Sequence, residues 1–385
     1  MRIVLAPDSF KESLSAPAAC EAMERGIESA LENADVTPRP MSDGGEGMLD
    51  AVQAAIPVLT RKKAVVQDAL GRPVSATWLW DSDRKLAVIE SAAACGLAQI
   101  PPALRDAGRA SSFGVGQLLR AALDADAREI IIGIGGSAMT DGGTGMASAI
   151  GYRFLDALGV PLSPGGASLV NLARVHAPAT LTIKLRVACD VRNPLYGTEG
   201  AAAVYGPQKG ATSLDVAMLD EGLRHLGETT APGLAARPGS GAAGGLGFGL
   251  QAFCNADLEP GAALIADIIG LNAAISNSDL ILTGEGRSDT QTPNGKACAF
   301  VCARAAALDR PCVVLSGSVS DELRASGLPG ATILRAISPA SQSLAEQLRD
   351  TAVNLERATR DVVAECLQNQ ACGAPKGPRI CPTNL

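Results

Sequence analysis

Short runs of β-branched and aliphatic residues alternate along the chain with alanine-rich stretches of helical periodicity. Such runs, bounded by glycine, proline or aspartate, are typical of strands, and their alternation with helices predicts an α/β fold with a parallel sheet. The predicted strands cover residues 2–5, 85–90, 129–134, 182–188, 279–283, 311–316 and 331–336. Three of these regions, RIVLA, DLILTG and PCVVLSG, contain continuous apolar runs, which indicates strands buried on both faces.

The spacing of these runs predicts two α/β domains, the second inserted into the first. RIVLA is similar in pattern to two of the C-terminal runs, so we expect residues 1–60 and 280–370 to share one parallel sheet. Residues 61–279 carry strands and glycine-rich loops that are less regularly paired with helices, which indicates a separate, inserted α/β domain. Helix starts are marked by Ser15 and by Asn294. Residues 371–385 have no periodicity and are predicted to be a disordered tail.

Composition and charge exclude several classes of function. With 33 Lys and Arg against 40 Asp and Glu, the net charge is −7 and there is no basic run, so nucleic acid and anionic membranes are not expected partners. His176 and His225 are the two histidines, and neither lies in a zinc-binding or nucleophile motif. The ten cysteines include no CxxC pair, and no apolar stretch approaches the roughly 18 residues that span a bilayer. We therefore expect a soluble, cytoplasmic protein, and a homodimer is compatible with the sequence.

Glycine is concentrated in loops that also contain acidic or polar residues. Five clusters occur, at residues 43–47, 133–145, 206–210, 239–249 and 284–286. Glycine permits the positive φ with which backbone N–H groups converge on an anion, so these clusters are candidates to bind phosphate or carboxylate groups. The candidate binding residues in three of them are Asp43, Gly44, Gly45, Glu46, Gly135, Gly136, Ser137, Asp141, Gly241 and Gly244.

One of these clusters also matches a different motif. GIGGSA, at residues 133–138, follows a predicted strand and fits G-x-G-x-x-A, with Asp156 about twenty residues further on, as in dinucleotide-binding folds. The loop continues through MTDGGTG, where the fingerprint requires a helix, and this weakens the dinucleotide interpretation. The P-loop pattern G-x-x-x-x-G-K-[ST] is absent, so a nucleoside triphosphate would have to bind without one.

Lysines and acids recur in comparable loops. The lysines are Lys11 in DSFKES, Lys209 in GPQKGA and Lys296 in PNGKA. Each of the acids lies near a glycine, a serine or the end of a predicted strand. They are Asp8, Asp43, Glu46, Asp141, Asp190, Glu285 and Asp289. Each of these residues alone is most often a turn former, a helix cap or a solvated charge. Together they suggest a cleft in which phosphate, a divalent cation and a general base meet.

Six motifs, in order along the chain, resemble those of the bacterial glycerate kinase family of type 1. They are APDSFKESLSA, MSDGGEGM, GIGGSAMTDGGTG, ACDVRNPLYGTEGAAAVYGPQKGA, GSGAAGGLGFGLQAF and LILTGEGRSDTQTPNGKA. The resemblance implies ATP-dependent, Mg²⁺-assisted phosphorylation of D-glycerate, usually to 2-phosphoglycerate. It also implies a flavodoxin-like domain and a second domain similar to the restriction-endonuclease fold. The departures at Met139-Thr140 and at Cys298 remove no charged group.

Within this hypothesis, residue roles are inferred from position. Asp190 ends a predicted strand and is the expected base or hydroxyl-orienting group, because open α/β sheets bind ligands at the carboxyl ends of their strands. Lys209 is expected to hold the transferring phosphoryl group. Arg192 or the cluster at 43–47 is expected to bind the glycerate carboxylate.

The remaining candidates lie in the first loop and in the last glycine and lysine loops. Asp289 and Glu285 are the candidates for Mg²⁺. Further phosphate- or substrate-binding candidates are Asp8, Ser9, Lys11 and Lys296. Three alternatives stay open: a kinase that forms 3-phosphoglycerate, a nicotinamide-dependent hydroxy-acid oxidoreductase, and a non-catalytic binding module.

Overall fold

The computed structural model describes residues 1–179, 183–293 and 296–371, and the chain divides into two compact units. Unit 1 comprises Met1–Asp43, Asp50–Pro57 and the chain from Ala262 onward. Unit 2 comprises Gly44–Leu49 and Val58–Gly261. Residues 372–385, most of the predicted disordered tail, lie outside the described residues, whereas Ala371 ends the last helix.

The strands and α-helices are numbered in chain order. The strands are β1 (Arg2–Leu5), β2 (Asp35–Pro38), β3 (Thr60–Gln67), β4 (Pro73–Asp81), β5 (Leu86–Glu90), β6 (Glu129–Gly133), β7 (Arg153–Leu155), β8 (Arg174–His176), β9 (Lys184–Ala188), β10 (Asp257–Glu259), β11 (Leu280–Ser288), β12 (Cys312–Val319) and β13 (Ile333–Ala336). The α-helices are α1 (Ala16–Glu28), α2 (Met48–Ala55), α3 (Ala92–Cys95), α4 (Phe113–Asp124), α5 (Thr144–Ala149), α6 (Ala201–Tyr205), α7 (Ser213–Thr230), α8 (Pro232–Ala235), α9 (Ala242–Cys254), α10 (Gly261–Ile268), α11 (Leu271–Ser276), α12 (Ala297–Ala307), α13 (Asp321–Ser326), α14 (Leu344–Arg349) and α15 (Thr351–Ala371).

Unit 1 contains a five-stranded parallel sheet in the order β13-β12-β11-β1-β2. Counted within the unit, this is the 2-1-3-4-5 order of flavodoxin-like folds. Ile3 pairs with Leu280, so the predicted pairing of the first strand with a C-terminal strand is confirmed. The strands are continuously apolar because both faces are covered, and residues of β1, β11 and β12 share one buried cluster with α1 and α15. The ends of β1 and β11 lie at the point where the strand order reverses.

Unit 2 contains a six-stranded mixed sheet in the order β10-β9-β6-β5-β4-β3. Strands β5, β6, β9 and β10 are mutually parallel, so their carboxyl ends meet at one edge. Gly133 pairs with Glu90 on one side and with Ala188 on the other, which sets the last residues of β5, β6 and β9 in one row. With the sheet of unit 1, this arrangement confirms the predicted α/β class. No apolar run in the sequence predicts β3, because most of its residues are exposed.

Helix starts follow local capping chemistry. The Ser15 side chain accepts a hydrogen bond from the Ala18 N–H group at 3.4 Å, and Pro17 lies in the first turn, so this predicted helix start is confirmed. Asn294, the other predicted start, lies outside the described residues, and α12 begins at Ala297. Within the part of the chain that the structure describes, no helix is both long and apolar enough to cross a membrane.

Candidate active site

A glycine segment, Gly44–Gly47, lies on the carboxyl edge of the sheet in unit 2. Gly44 has a φ of +88°, and a Cβ atom there would lie 2.3 Å from the Ala188 Cβ atom. A Cβ atom at Gly133 would lie 2.4 Å from the Gly44 carbonyl oxygen, and one at Gly135 would lie 2.8 Å from the Gly45 Cα atom. The segment therefore touches the ends of β6 and β9 through backbone, which only glycine permits at these distances. The predicted residues Gly44, Gly45 and Gly135 are thus brought together.

Glu90 is a candidate that sequence reasoning missed. It ends β5, and its Oε1 atom accepts a hydrogen bond from the Leu49 N–H group at 2.8 Å, in the first turn of α2. A carboxylate at this position stabilises the N-terminus of the helix that follows the glycine segment. The available signal is that Glu90 is the last residue of a predicted strand. Glu46, a predicted binding residue two positions before α2, is exposed.

The loop between β6 and α5, residues 134–143, presents backbone at its tip. Gly136 is exposed with a φ of +69°, and Gly135 is half-buried. Ser137, the next residue, is buried. The Gly136 carbonyl accepts a hydrogen bond from the Leu97 N–H group at 2.8 Å, which ties the tip to the segment after α3. The predicted binding residues Gly135 and Gly136 are therefore accessible.

Asp141 organises this loop from inside the protein. It is 0% exposed, and Oδ2 accepts hydrogen bonds from the N–H and hydroxyl groups of Ser112 at 2.8 and 2.9 Å and from the Gly145 N–H group at 3.1 Å. Oδ1 accepts from the Gly143 N–H group at 3.1 Å. Burial raises the pKa of the Asp141 carboxyl, while these donors oppose the rise. The side chain ties the first turns of α4 and α5 together, and its predicted role in ligand binding stays a prediction.

Lys209 is the most deeply buried lysine among the candidates, at 2% exposure. Its Nζ atom donates to the Met139 carbonyl oxygen at 2.6 Å and to Ser137 Oγ at 3.3 Å. Burial lowers the pKa of Lys209 to about 7, and the Asp141 carboxylate opposes this change. The predicted contact of Lys209 with a phosphoryl group stays a prediction, and two of its N–H groups have partners within the protein.

Asp190 and Arg192 follow the end of β9 and are both exposed. Asp190 Oδ1 accepts a hydrogen bond from the Gly261 N–H group at 2.7 Å, at the start of α10. Arg192 has no hydrogen-bonding or ion-pair partner for its guanidinium group among the described residues. A solvent-facing guanidinium without a carboxylate partner can bind an incoming carboxylate or phosphate through two hydrogen bonds.

Gly241 and Gly244 are buried and bring backbone segments into contact. The Gly241 N–H group donates to the Asn193 carbonyl oxygen at 2.9 Å, close in sequence to Arg192. Gly244 has a φ of +71°, and a Cβ atom there would lie 2.0 Å from the Met139 carbonyl oxygen. Packing against the β6–α5 loop therefore requires glycine at position 244. Ala243, the second residue of α9, also adopts a left-handed conformation, with a φ of +54°.

In unit 1, Asp8 follows β1 at the point where the strand order reverses. Its N–H group donates to the Gly284 carbonyl oxygen at 2.8 Å, and its Oδ1 atom accepts from the Ser9 N–H group at 2.7 Å. Burial raises the pKa of Asp8 to about 7; the Asp43 and Glu285 carboxylates add to the rise, and the Ser9 N–H group opposes it. Lys11, a predicted binding residue in the same loop, is exposed.

Glu285 and Asp289, the predicted magnesium ligands, share one lysine. Lys296 Nζ lies 3.6 Å from Glu285 Oε2 and 3.9 Å from Asp289 Oδ1. The other Glu285 oxygen accepts hydrogen bonds from the hydroxyl groups of Ser288 and Thr292 at 2.8 and 2.9 Å. Among the described residues, no group of three or more His, Cys, Asp or Glu is arranged to hold a metal ion. The arrangement is compatible with Mg²⁺ held mainly by water and phosphate oxygens, since Mg²⁺ often binds through only one or two carboxylates.

The local structure around GIGGSA differs from a dinucleotide-binding turn. The fingerprint requires a helix to begin within the glycine turn, whereas α5 begins at Thr144. Asp156 Oδ1 accepts hydrogen bonds from the N–H groups of Leu158 and Val160 at 2.9 and 2.8 Å, so this carboxylate forms a turn. These features do not support the oxidoreductase alternative.

The two α/β units, one with a parallel sheet and one with a mixed sheet, carry glycine, lysine and carboxylate groups near the carboxyl ends of their strands, an arrangement typical of α/β proteins that bind small molecules. The model of the glycerate kinase family matches residues 3–367. The chain is 41% identical to a glycerate kinase of Bacillus subtilis (strain 168), over 94% of this chain and 97% of the relative. It is 39% identical to glycerate 2-kinase of Escherichia coli (strain K12), over 94% and 97%. A crystal structure described as that of a glycerate kinase 2 from Salmonella typhimurium LT2 aligns with a TM-score of 0.86 at 39% identity, over 96% of this chain and 99% of that chain.

The chain therefore belongs to the glycerate kinase family. It is a kinase, and membership of this family implies ATP as the phosphate donor and a small molecule as the acceptor.

Proposed function

We propose that the enzyme transfers the γ-phosphoryl group of ATP to the 2-hydroxyl group of D-glycerate, giving 2-phosphoglycerate. The position of transfer rests on the similarity to the relative named glycerate 2-kinase. The choice of glycerate as substrate rests on the guanidinium group of Arg192, at the carboxyl edge of the unit 2 sheet. This group has no hydrogen-bonding or ion-pair partner among the described residues. Glycerate brings a carboxylate and two hydroxyl groups, so its site needs a cation and a hydrogen-bond acceptor close together.

Arg192 and Asp190 supply these two groups in this proposal. Arg192 binds the carboxylate of glycerate through its planar guanidinium group. Asp190, two residues earlier, accepts the proton of the reacting hydroxyl group or orients that group toward the phosphate. The hydrogen bond from Gly261 to Asp190 Oδ1 limits the rotation of the carboxylate and so supports an orienting role. The backbone of the glycine segment and of Gly135–Gly136 would hold further substrate or phosphate oxygens.

The phosphate groups and Mg²⁺ are assigned to residues of unit 1. Asp289 and Glu285 would hold Mg²⁺ directly or through water, and the bound ion would neutralise phosphate charge. Lys11 and Lys296 would contact phosphate oxygens as point charges. The Lys296 Nζ atom lies within 4 Å of an oxygen of each carboxylate, so a cation that bound there would compete with the ammonium group.

The product can be identified by coupling to purified enolase, which consumes 2-phosphoglycerate and not 3-phosphoglycerate. With ATP, Mg²⁺ and D-glycerate, we expect phosphoenolpyruvate to form whether or not phosphoglycerate mutase is added. Formation only after mutase is added would identify the 3-phosphoglycerate alternative. An absence of ADP release with a folded preparation would contradict the kinase proposal, and L-glycerate serves as the substrate control. A homodimer and a cytoplasmic location stay predictions, the first of which light scattering can test.

A further inference from the structure

The Lys209 side chain connects two neighbouring positions of the β6–α5 loop. It enters from the short 3₁₀ helix Pro207–Lys209, and its Nζ atom contacts Ser137 Oγ at 3.3 Å and the Met139 carbonyl oxygen at 2.6 Å. The side chain is 2% exposed, and Ser137 and Met139 are also buried. These contacts lie directly after the accessible tip at Gly135–Gly136, which is the part of the loop assigned to ligand binding.

The loop combines glycines of positive φ with the buried apolar residues Ile134, Ala138 and Met139 and with a few buried polar side chains. Its glycines at 136, 142 and 143 all have positive φ, and glycine loses more backbone freedom on ordering than any other residue. Asp141 fixes the end of the loop next to α5 through Ser112, Gly143 and Gly145. Between Asp141 and the tip, the Lys209 side chain donates to Met139 and Ser137, beside a backbone hydrogen bond from the Ala138 N–H group to the Cys95 carbonyl oxygen at 2.9 Å. Removal of its two hydrogen bonds would leave the Met139 carbonyl and the Ser137 hydroxyl without this donor.

We propose that Lys209 is a positioning residue, which holds the β6–α5 loop in the conformation that meets the substrate and does not itself contact the transferring phosphoryl group. The effect on catalysis rests on the proposed phosphorylation of glycerate. The effect on the loop does not, because it concerns the protein without ligands.

The chemistry of the two contacts separates this role from a phosphate-binding role. Both acceptors are neutral, and together they require two N–H donors. An ammonium group has three donors and a neutral amine keeps two, so the contacts survive deprotonation. A neutral amine could no longer stabilise the negative charge of a phosphoryl group, so that role would be lost when Lys209 is deprotonated. Burial lowers the pKa of Lys209 to about 7, and the Asp141 carboxylate opposes this change. The two roles therefore predict different activities at pH values above about 7, where the amine is neutral.

The first experiment measures hydrogen exchange by mass spectrometry on the ligand-free protein. Lys209→Met should accelerate exchange in residues 134–145 by about tenfold or more, while β11 in unit 1 keeps its protection. Lys184→Met is the matched control, because Lys184 is an exposed lysine of the same unit, with 59% of its side chain accessible. Ser137→Ala removes one acceptor without changing a charge, so it should accelerate exchange in the same peptide if Lys209→Met does not fold.

The second experiment compares kcat/KM of the wild type and of Lys209→Met from about pH 6 to about pH 9, since kcat/KM reports the ionisation of the free enzyme. The ratio of the two values cancels the titration of other groups. A positioning role predicts a ratio that does not change with pH, together with faster exchange in the loop. The proposal is overturned if exchange in residues 134–145 is unchanged in both variants, or if the ratio falls about tenfold per pH unit above about pH 7. If the wild type does not phosphorylate glycerate, the exchange measurement still decides the role of Lys209 in the loop.

Discussion

Replacement of Asp190 by asparagine separates proton transfer from a purely structural role. Asp190 Oδ1 accepts the Gly261 N–H group at 2.7 Å, and the Oδ1 atom of asparagine can accept the same hydrogen bond. Asparagine cannot accept a proton from a hydroxyl group. A general base contributes about 10²–10⁴ in rate, which corresponds to about 3–5 kcal/mol in the activation barrier. We therefore expect Asp190→Asn to lower kcat by that factor while the free energy of unfolding changes by less than about 0.5 kcal/mol.

Two further variants serve as comparisons for Asp190→Asn. Asp190→Ala removes the hydrogen bond as well, and we expect it to lower the free energy of unfolding by about 1 kcal/mol. Asp220→Asn is the matched control, because Asp220 Oδ1 accepts the Gly197 N–H group at 2.8 Å in the same unit and is not a candidate site residue. Asp220→Asn should leave kcat unchanged.

The assays are enolase-coupled turnover and urea denaturation. If Asp190→Asn keeps turnover within about twofold of the wild type, Asp190 is a structural hydrogen-bond acceptor and the base lies elsewhere. If instead stability falls as far as activity, the loss of rate cannot be assigned to proton transfer.

Three other predictions concern backbone conformation and charge. Gly44→Ala should lower the free energy of unfolding by about 2–5 kcal/mol, because its Cβ atom would clash with that of Ala188. Gly47→Ala is the control, since Gly47 has the same φ and no atom lies within 4 Å of its Cβ position, and it should lower the free energy of unfolding by only about 1–2 kcal/mol. Equal losses in urea denaturation would contradict this. Ala243→Gly should raise the free energy of unfolding by about 1 kcal/mol, because a left-handed φ of +54° strains alanine, and a less stable variant would refute the strain. Because burial raises the pKa of Asp8 to about 7, the folded state holds this proton more tightly than the unfolded chain does, and the contribution of Asp8 to stability falls as pH rises from about 4 to about 7. Asp8→Asn should therefore raise Tm more at about pH 8 than at about pH 5 in Mg²⁺-free buffer, and an equal shift at both would show that the pKa is not raised.

Much of the fold follows from local patterns in the sequence. The runs that predict strands at 2–5, 85–90 and 129–134 are found as β1, β5 and β6, because a strand buried on both faces needs a continuous apolar run. Ser15 marks the start of α1 because its hydroxyl group meets an N–H group only three residues away. β3 has no such signal, since its polar residues face solvent and the strand depends on pairing with β4.

The sequence alone also determines the family and the positions of the glycine loops, because these are properties of residue type and order. It does not determine what surrounds each charge. Asp141 and Lys209 are predicted from the sequence as ligand-binding groups, and the fold buries both side chains and gives them hydrogen-bond partners within the protein. Glu90 has no motif, and its contact with Leu49 exists only because β5 ends beside the glycine segment. Burial, hydrogen bonding and pKa depend on segments distant in sequence, such as Asp8 and Glu285, which come together only when β1 and β11 pair. The tertiary structure therefore decides which of these charged residues are exposed and which are buried with protein partners.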